Sequence, residues 1–249
     1  MGQKKDGVQL GGDTILNHMN INPSNVVNIM KKQDYKIGYD IIATNLYHDR
    51  ININLGGDHS IGVSTVQPAL DMYKDNLLVI WIDAHSDINT FNSSYTKNMH
   101  GMPVSCLLGY MPHWYDKPST IKNFTKLNKK NLLYVGLRDM DLYEMELIKQ
   151  KKITYFKDFS PIIYNIIKSS PAKYIHISCD IDSMDPTIMP STGTPVNNGL
   201  LLEDVVKIIN CCRKNLVGFD LVEFNPMIGT KKDVNMTLDN IGKIINLLI

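Results

Sequence analysis

The feature that most constrains the fold is a set of six short apolar runs separated by longer stretches of helical spacing. The runs are Ile51–Leu55, Leu77–Ile82, Leu132–Leu137, Ile153–Phe156, Tyr174–Ser178 and Leu216–Leu221. Leu77–Ile82 reads LLVIWI and is apolar at every position, so neither of its faces can meet water. Strands buried on both faces belong to a parallel sheet covered by helices. The helical stretches fall at about 60–74, 102–110, 141–151, 159–169, 202–214 and 236–248. In LLEDVVKIINCCRK the apolar residues recur at helical spacing, and Asp141 with Glu144 has the pattern of a capping box. The alternation predicts the α/β class: one three-layer α/β/α domain over residues 1–249, built on a mainly parallel sheet.

Composition removes several classes of function. Lys+Arg 26 against Asp+Glu 25 leaves a formal charge of +1, so no global basic field points to nucleic acid or an anionic membrane. The longest apolar run, Leu77–Ile82, is far too short to span a bilayer. The amino terminus, MGQKKDGVQLGGD, lacks an apolar signal core, and Asp6 stands where N-myristoylation wants Ser or Thr. Cys106, Cys179, Cys211 and Cys212 form no C-x-x-C pair, which argues against a disulfide or zinc framework. The expectation is a cytoplasmic protein with no membrane and no nucleic-acid partner.

Ligands of open parallel sheets bind beyond the carboxyl ends of the strands, and here those ends are crowded with ionisable groups. One strand runs into Gly56-Gly57-Asp58-His59, another into Asp83-Ala84-His85-Ser86-Asp87, a third into Asp180-Ile181-Asp182 and a fourth into Glu223. If the extended conformation continues, Asp83, His85 and Asp87 share one face, as do Asp180 and Asp182. An isolated D-x-D is usually a cap or a turn. Several carboxylates converging beside an apolar sheet repel one another, and each buried charge costs several kcal/mol unless compensated. Divalent cations compensate such a set.

The donors are carboxylates and two imidazoles, with no thiolate in place, because Cys179 precedes Asp180 and points to the opposite face. Oxygen-rich sites with some imidazole suit Mn²⁺, and Zn, Fe, Co or Ni by geometry. Six ligands exceed one ion's usual needs, while bridging carboxylates suit two ions about 3.5–4 Å apart. The residues therefore predict two Mn²⁺ per subunit.

The chain resembles the ureohydrolase family, which includes arginases and agmatinases. The resembling motifs are Gly56-Gly57-Asp58-His59-Ser60, Asp83-Ala84-His85-Ser86-Asp87, Ser178-Cys179-Asp180-Ile181-Asp182-Ser183-Met184-Asp185-Pro186 and Glu223-Phe224-Asn225-Pro226, in that order. The likeness runs from Gly7 to the final helix. It implies the arginase/deacetylase-like fold. It also implies that His59, Asp83, Asp87 and Asp180 ligate one manganese and Asp83, His85, Asp180 and Asp182 the other, with a bridging hydroxide as nucleophile. Asp87 would accept a hydrogen bond from that hydroxide, and Glu223 would anchor the substrate guanidinium, a carboxylate matching the planar fork. His100, in Met99-His100-Gly101-Met102-Pro103, resembles the family's proton-shuttle histidine, and imidazole titrates near neutrality. His18, His48, His113 and His176 lie in no such motif and are read as ordinary.

Within the family, Asp87-Ile88-Asn89-Thr90 and Gly136-Leu137-Arg138-Asp139-Met140-Asp141 resemble arginases. The likeness implies that Asn89, Ser94 and Thr96 bind an α-carboxylate and that Asp141 and Glu144 receive an α-amino group. Thr194, in Thr192-Gly193-Thr194-Pro195, is expected near the ligand rim. One departure is Thr96-Lys97-Asn98, where the family usually reads Ser-Gly-Asn: the hydroxyl is kept, and Lys97 replaces a residue able to adopt positive φ. The chain is also shorter than typical arginases, and the tail that helps many of them trimerise is largely absent, so a homo-oligomer, a trimer by resemblance, is the weaker expectation. The function expected is hydrolysis of L-arginine to L-ornithine and urea. The alternatives are agmatinase or another amidinohydrolase, a catalytically inactive metal-binding relative, and a deacetylase with a single zinc.

Overall fold

The computed structural model describes residues 5–27, 34–47, 49–111 and 124–249; His48 and His113 lie outside them. Six parallel strands form one sheet: β1 (Asn52–Leu55), β2 (Leu77–Ile82), β3 (Leu132–Val135), β4 (Thr154–Phe156), β5 (Tyr174–Asp180) and β6 (Leu216–Val222). They lie in the order β1-β6-β5-β2-β3-β4. Each matches one of the apolar runs, and β5 extends two residues past Ser178 to end on Asp180 itself.

The helices are α1 (Gly11–Met19), α2 (Asp34–Asn45), α3 (Gly62–Thr65), α4 (Gln67–Tyr73), α5 (Pro103–Leu107), α6 (Leu142–Lys151), α7 (Ile162–Ser169), α8 (Leu202–Cys212) and α9 (Lys231–Ile245). Side chains of β2 divide by parity, as a strand period of two requires. Leu78, Ile80 and Ile82 pack with residues of α1, α7, α8 and α9, whereas Leu77, Val79 and Trp81 pack with residues of α4, α5 and α6. Both faces of the sheet are therefore covered, giving the three-layer α/β/α architecture. Among the described residues no helix is long and apolar enough to cross a membrane.

Three helical expectations change. The stretch 60–74 is a 3-10 turn followed by α3 and α4, divided at Val66. Pro68 sits in the first turn of α4, where its missing N–H is tolerated but where a helix arriving from upstream cannot continue. The last helix starts at Lys231 rather than 236, because Thr230 and Asp233 form a capping box. Helices α1 and α2 were not expected; α1 buries only Gly11 and Ile15, and α2 only Tyr35 and Gly38, too little apolar periodicity to read.

A candidate binuclear metal centre

The carboxyl ends of β1, β2, β5 and β6 bring the ionisable residues together, but not by continued extension. Asp83 Oδ1 accepts from the His85 backbone N–H at 2.7 Å, a local turn that ends the strand. Arg138 and Asp139 N–H groups hold the Ala84 carbonyl at 2.9 Å each, and the Tyr134 hydroxyl donates to the Ser86 carbonyl at 2.6 Å. Asp87 then adopts φ 52, the left-handed region. Asp180 repeats the device: its Oδ1 accepts from Asp182 N–H at 2.8 Å and caps a 3-10 turn over Ile181–Ser183. The expected shared faces are thus replaced by tight turns that fold each carboxylate pair inward.

The resulting distances define two groups that share Asp83. His59 Nδ1 lies 2.9 Å from Asp83 Oδ2, 3.2 Å from Asp87 Oδ2 and 3.5 Å from Asp180 Oδ2. His85 Nδ1 lies 3.1 Å from Asp182 Oδ2 and 3.5 Å from Asp83 Oδ1. His59, Asp83 and Asp87 could hold one ion, and Asp83, His85 and Asp182 another. Asp180, the last residue of β5, approaches the first group through His59. Cys179 is buried in the core on the other side of the sheet.

The electrostatics are those of a crowded anionic pocket. Burial pushes Asp87 up to about 7, with the Asp83 charge adding to it. Burial and the Asp182 and Asp83 charges likewise hold Asp180 well above the usual carboxylate range. Asp83 goes the other way: burial opposes its ionisation, but the imidazoles of His59 and His85 outweigh burial and lower it. Burial disfavours charge on His59 and His85, yet the surrounding carboxylates raise both well above the ordinary imidazole value. Asp87 Oδ2 is buried and meets His59 Nδ1 at 3.2 Å without hydrogen-bond geometry, so its acceptor capacity is unfilled, as a cation ligand's would be.

Glu223 follows β6 in a left-handed conformation, φ 69, with its N–H donating to the Gly57 carbonyl at 2.8 Å. Its Oε1 accepts from the His59 backbone N–H at 2.9 Å and lies 3.3 Å from His100 Nδ1. The anchor and shuttle candidates are therefore direct neighbours. Thr194 Oγ1 donates to Asp182 Oδ2 at 2.9 Å.

The residues proposed for the far end of the substrate form a tied loop system. Asn89 Nδ2 donates to Asp141 Oδ2 at 2.9 Å, and Ser93 Oγ donates to Asn89 Oδ1 at 2.7 Å. Ser94 Oγ and Thr96 Oγ1 are 3.4 Å apart. Glu144 is buried; its Oε1 accepts from Ser86 Oγ at 2.7 Å and its Oε2 from Asp141 N–H at 3.0 Å, completing the capping box of α6. Lys97 has φ 59, so the position at which the resemblance implied a glycine is left-handed.

Several residues were given no role from sequence. The Trp81 ring stacks on His59 with centroids 4.1 Å apart, and its Nε1–H donates to Asp83 Oδ2 at 3.0 Å. Asp139 Oδ2 lies 3.6 Å from His85 Nε2. Ser178 Oγ meets His59 Nε2 at 2.9 Å. Arg138 donates to the carbonyls of Gly136, Asp182, Ser183, Val196 and Asn197. The available signal was a polar residue inside, or just after, a strand otherwise buried on both faces.

Residues 3–246 match the model of the Arginase family. The chain belongs to the arginase family. Among curated relatives of the family, a Schizosaccharomyces pombe arginase is 34% identical over 218 residues, covering 83% of this chain and 67% of that protein. The Entamoeba histolytica arginase is 33% identical over 246 residues, 94% of this chain and 78% of that one. The chain spans 51–67% of the length of the fungal arginases it matches. Among solved members of the family, the E. histolytica arginase in complex with L-ornithine superposes with a TM-score of 0.79 at 28% identity. That match covers 98% of this chain and 94% of the other.

Proposed function

We propose that this chain is a manganese-dependent arginase, hydrolysing L-arginine to L-ornithine and urea at a two-metal centre, within a single domain spanning residues 1–249. The observation that carries the reading is Asp83, whose two oxygens face two different imidazoles, as a bridging carboxylate between two ions requires. The donor set fits: carboxylate oxygens and two imidazoles without thiolate favour Mn²⁺, and the buried Asp87 Oδ2, which makes no hydrogen bond, has acceptor capacity for a cation. His59, Asp83, Asp87 and Asp180 would hold one ion, and Asp83, His85, Asp180 and Asp182 the other. Two divalent cations bound there supply the positive charge that acidifies water and stabilises developing negative charge on the substrate.

The protein's own groups supply recognition and proton movement. Glu223, buried and anionic, pairs with the guanidinium through charge-assisted hydrogen bonds. His100, partly exposed and beside Glu223, carries a proton between solvent and the leaving amine. Asp87 accepts a proton at Oδ2. Asn89, Ser94, Thr96, Asp141 and Glu144 receive the α-carboxylate and α-amino groups, and Thr194 steadies Asp182. An L-ornithine complex of a relative 28% identical supports an amino-acid substrate. Four free cysteines, three of them buried, suit a reducing cytoplasm.

The test is urea release by purified protein supplied with Mn²⁺ and either L-arginine or agmatine. Urea from arginine is expected. Urea from agmatine alone makes the protein an agmatinase, and no turnover with fewer than two ions per chain makes it an inactive relative.

A further inference from the structure

A buried row of polar side chains crosses the sheet beneath the site, at a level where the surroundings are otherwise apolar. Trp81 on β2 is in register with Ser178 on β5, Ser178 with Asp220 on β6, and Asp220 with Asn54 on β1. Asp220 and Ser178 have no measurable exposure. Burying a carboxylate in the middle of a sheet costs several kcal/mol unless it is well satisfied, and Asp220 touches no residue of the proposed metal set.

Its satisfaction is unusually complete. Asp220 Oδ1 accepts from Asn54 Nδ2 at 2.8 Å, and Oδ2 accepts from Thr65 Oγ1 and Ser178 Oγ, each at 2.8 Å. His176 Nε2 lies 3.0 Å from the same Oδ2, though poorly aligned for a hydrogen bond. The neighbouring strand makes room for that ring: a Cβ on Gly218 would sit 2.2 Å from His176 Nδ1. Burial alone would raise the Asp220 carboxyl, but the His176 charge and the hydrogen bonds outweigh it and hold the group below its ordinary value. Asp220 is thus an acceptor and nothing else.

That fixes the direction of every proton in the row. The Ser178 hydroxyl has one hydrogen, and it is committed to Asp220. Ser178 Oγ can therefore only accept at its contact with His59 Nε2. His59 must carry a proton on Nε2, which leaves Nδ1, the nitrogen facing Asp83, Asp87 and Asp180, as the one that can exchange its proton for a cation.

We propose that Asp220 is a positioning residue that acts through Ser178 to hold His59 as the Nε2–H form with Nδ1 as the ligand atom. The proposal deepens the two-metal reading above and rests on it for its consequence, though not for its geometry. Gly218 completes the device by leaving room for the His176 ring beside Asp220.

Two measurements test it. In metal-free, ¹⁵N-histidine-labelled protein at neutral pH, where the carboxylates keep both ring nitrogens of His59 protonated, long-range ¹H–¹⁵N correlations report the His59 Nε2–H. Asp220→Ala is expected to shift that resonance and to speed its exchange with solvent, and an Nε2–H signal unchanged in Asp220→Ala overturns the proposal. In Mn²⁺ titrations, Asp220→Ala is expected to weaken one of the two ions by about tenfold or more while sparing the other. Ser178→Ala should do the same, and the double variant should be no worse than the worse single variant, within about threefold. Additive losses, or wild-type binding by Asp220→Ala, overturn it. If Asp220→Ala does not fold, Asp220→Asn is used, because its amide oxygen can still accept from Ser178. Retention within about threefold is then expected, and a tenfold loss overturns the relay as drawn. A wild-type protein that binds no Mn²⁺ sinks the metal reading alone, since the response of the His59 Nε2–H to Asp220→Ala still decides the relay.

Discussion

His100 Nδ1 lies 3.3 Å from Glu223 Oε1, so the imidazole and the carboxylate titrate as partners rather than as separate groups. Burial disfavours charge on His100, but the hydrogen bond and charge of Glu223 outweigh it and raise the imidazole above its ordinary value. Burial raises Glu223, and His100 pulls it back. The sign follows. The stabilisation contributed by His100 is fully present below the unfolded-state value of about 6.5 and is lost as pH rises through the higher folded value. Glu223→Gln should therefore lower the His100 pKa, read from the pH dependence of its Cε1–H NMR signal. An unchanged titration would show that Glu223 does not govern the shuttle candidate.

Asp87 is the residue whose structural and functional demands conflict most. Its Oδ2 is buried without a hydrogen bond, and burial raises its carboxyl to about 7. In metal-free protein above that pH the ionised form opposes folding. The cost is absent below the unfolded value and grows as pH rises toward the folded one. Asp87→Asn should consequently raise the melting temperature of chelator-treated protein at pH 8 and weaken binding of one Mn²⁺. A lower melting temperature without metal would contradict the electrostatic account. Chelation itself should lower the melting temperature of the wild type, because ligands that bind only the folded state stabilise it.

The sheet was legible because β2, β3 and β5 are apolar runs, and the meeting of ionisable groups at its rim because β2, β5 and β6 run into Asp83, Asp180 and Glu223. The route by which Asp83, His85 and Asp87 meet was not legible. Side-chain alternation assumes an extended chain, whereas Asp83 turns the backbone by accepting from His85 N–H and Asp87 enters the left-handed region. His176 read as an ordinary histidine because its meaning depends on Gly218 and Asp220, which are some forty residues away and adjacent only through sheet register. Helix α2 escaped notice for a related reason: it buries only Tyr35 and Gly38 against the rest of the fold.

Lys97 marks a place where the sequence departs from the family at a known structural cost. With φ 59 its Cβ is strained in a conformation glycine adopts freely. Its ammonium donates to the Phe91 carbonyl, which offsets part of that strain by tying down the loop carrying Ser94 and Thr96. Lys97→Gly should stabilise the protein by about 1 kcal/mol, seen as a higher urea midpoint with an unchanged slope. A loss of stability would mean that the contact with Phe91 outweighs the backbone strain.

Arg138 uses all five of its N–H donors on backbone carbonyls: Nε on Asn197, Nη1 on Gly136 and Ser183, and Nη2 on Asp182 and Val196. One guanidinium thereby joins the turn after β3, the turn that carries the candidate ligand Asp182, and the loop that follows Thr194. No lysine can replace it, since an ammonium has three donors radiating from one point and the fork spans carbonyls from three segments. Hydrogen bonds to a charged donor contribute about 1.5–3 kcal/mol each, but the partly exposed carbonyls regain water when the donor is lost. Arg138→Met should accordingly destabilise the fold by roughly 2–4 kcal/mol in urea, and Arg138→Lys by an intermediate amount. Because Asp182 belongs to the His85 group and not to the His59 group, Arg138→Lys should weaken the ion opposite to the one affected by Asp220→Ala. Equal weakening of both ions by Arg138→Lys would place its effect in the sheet as a whole rather than in the Asp182 turn.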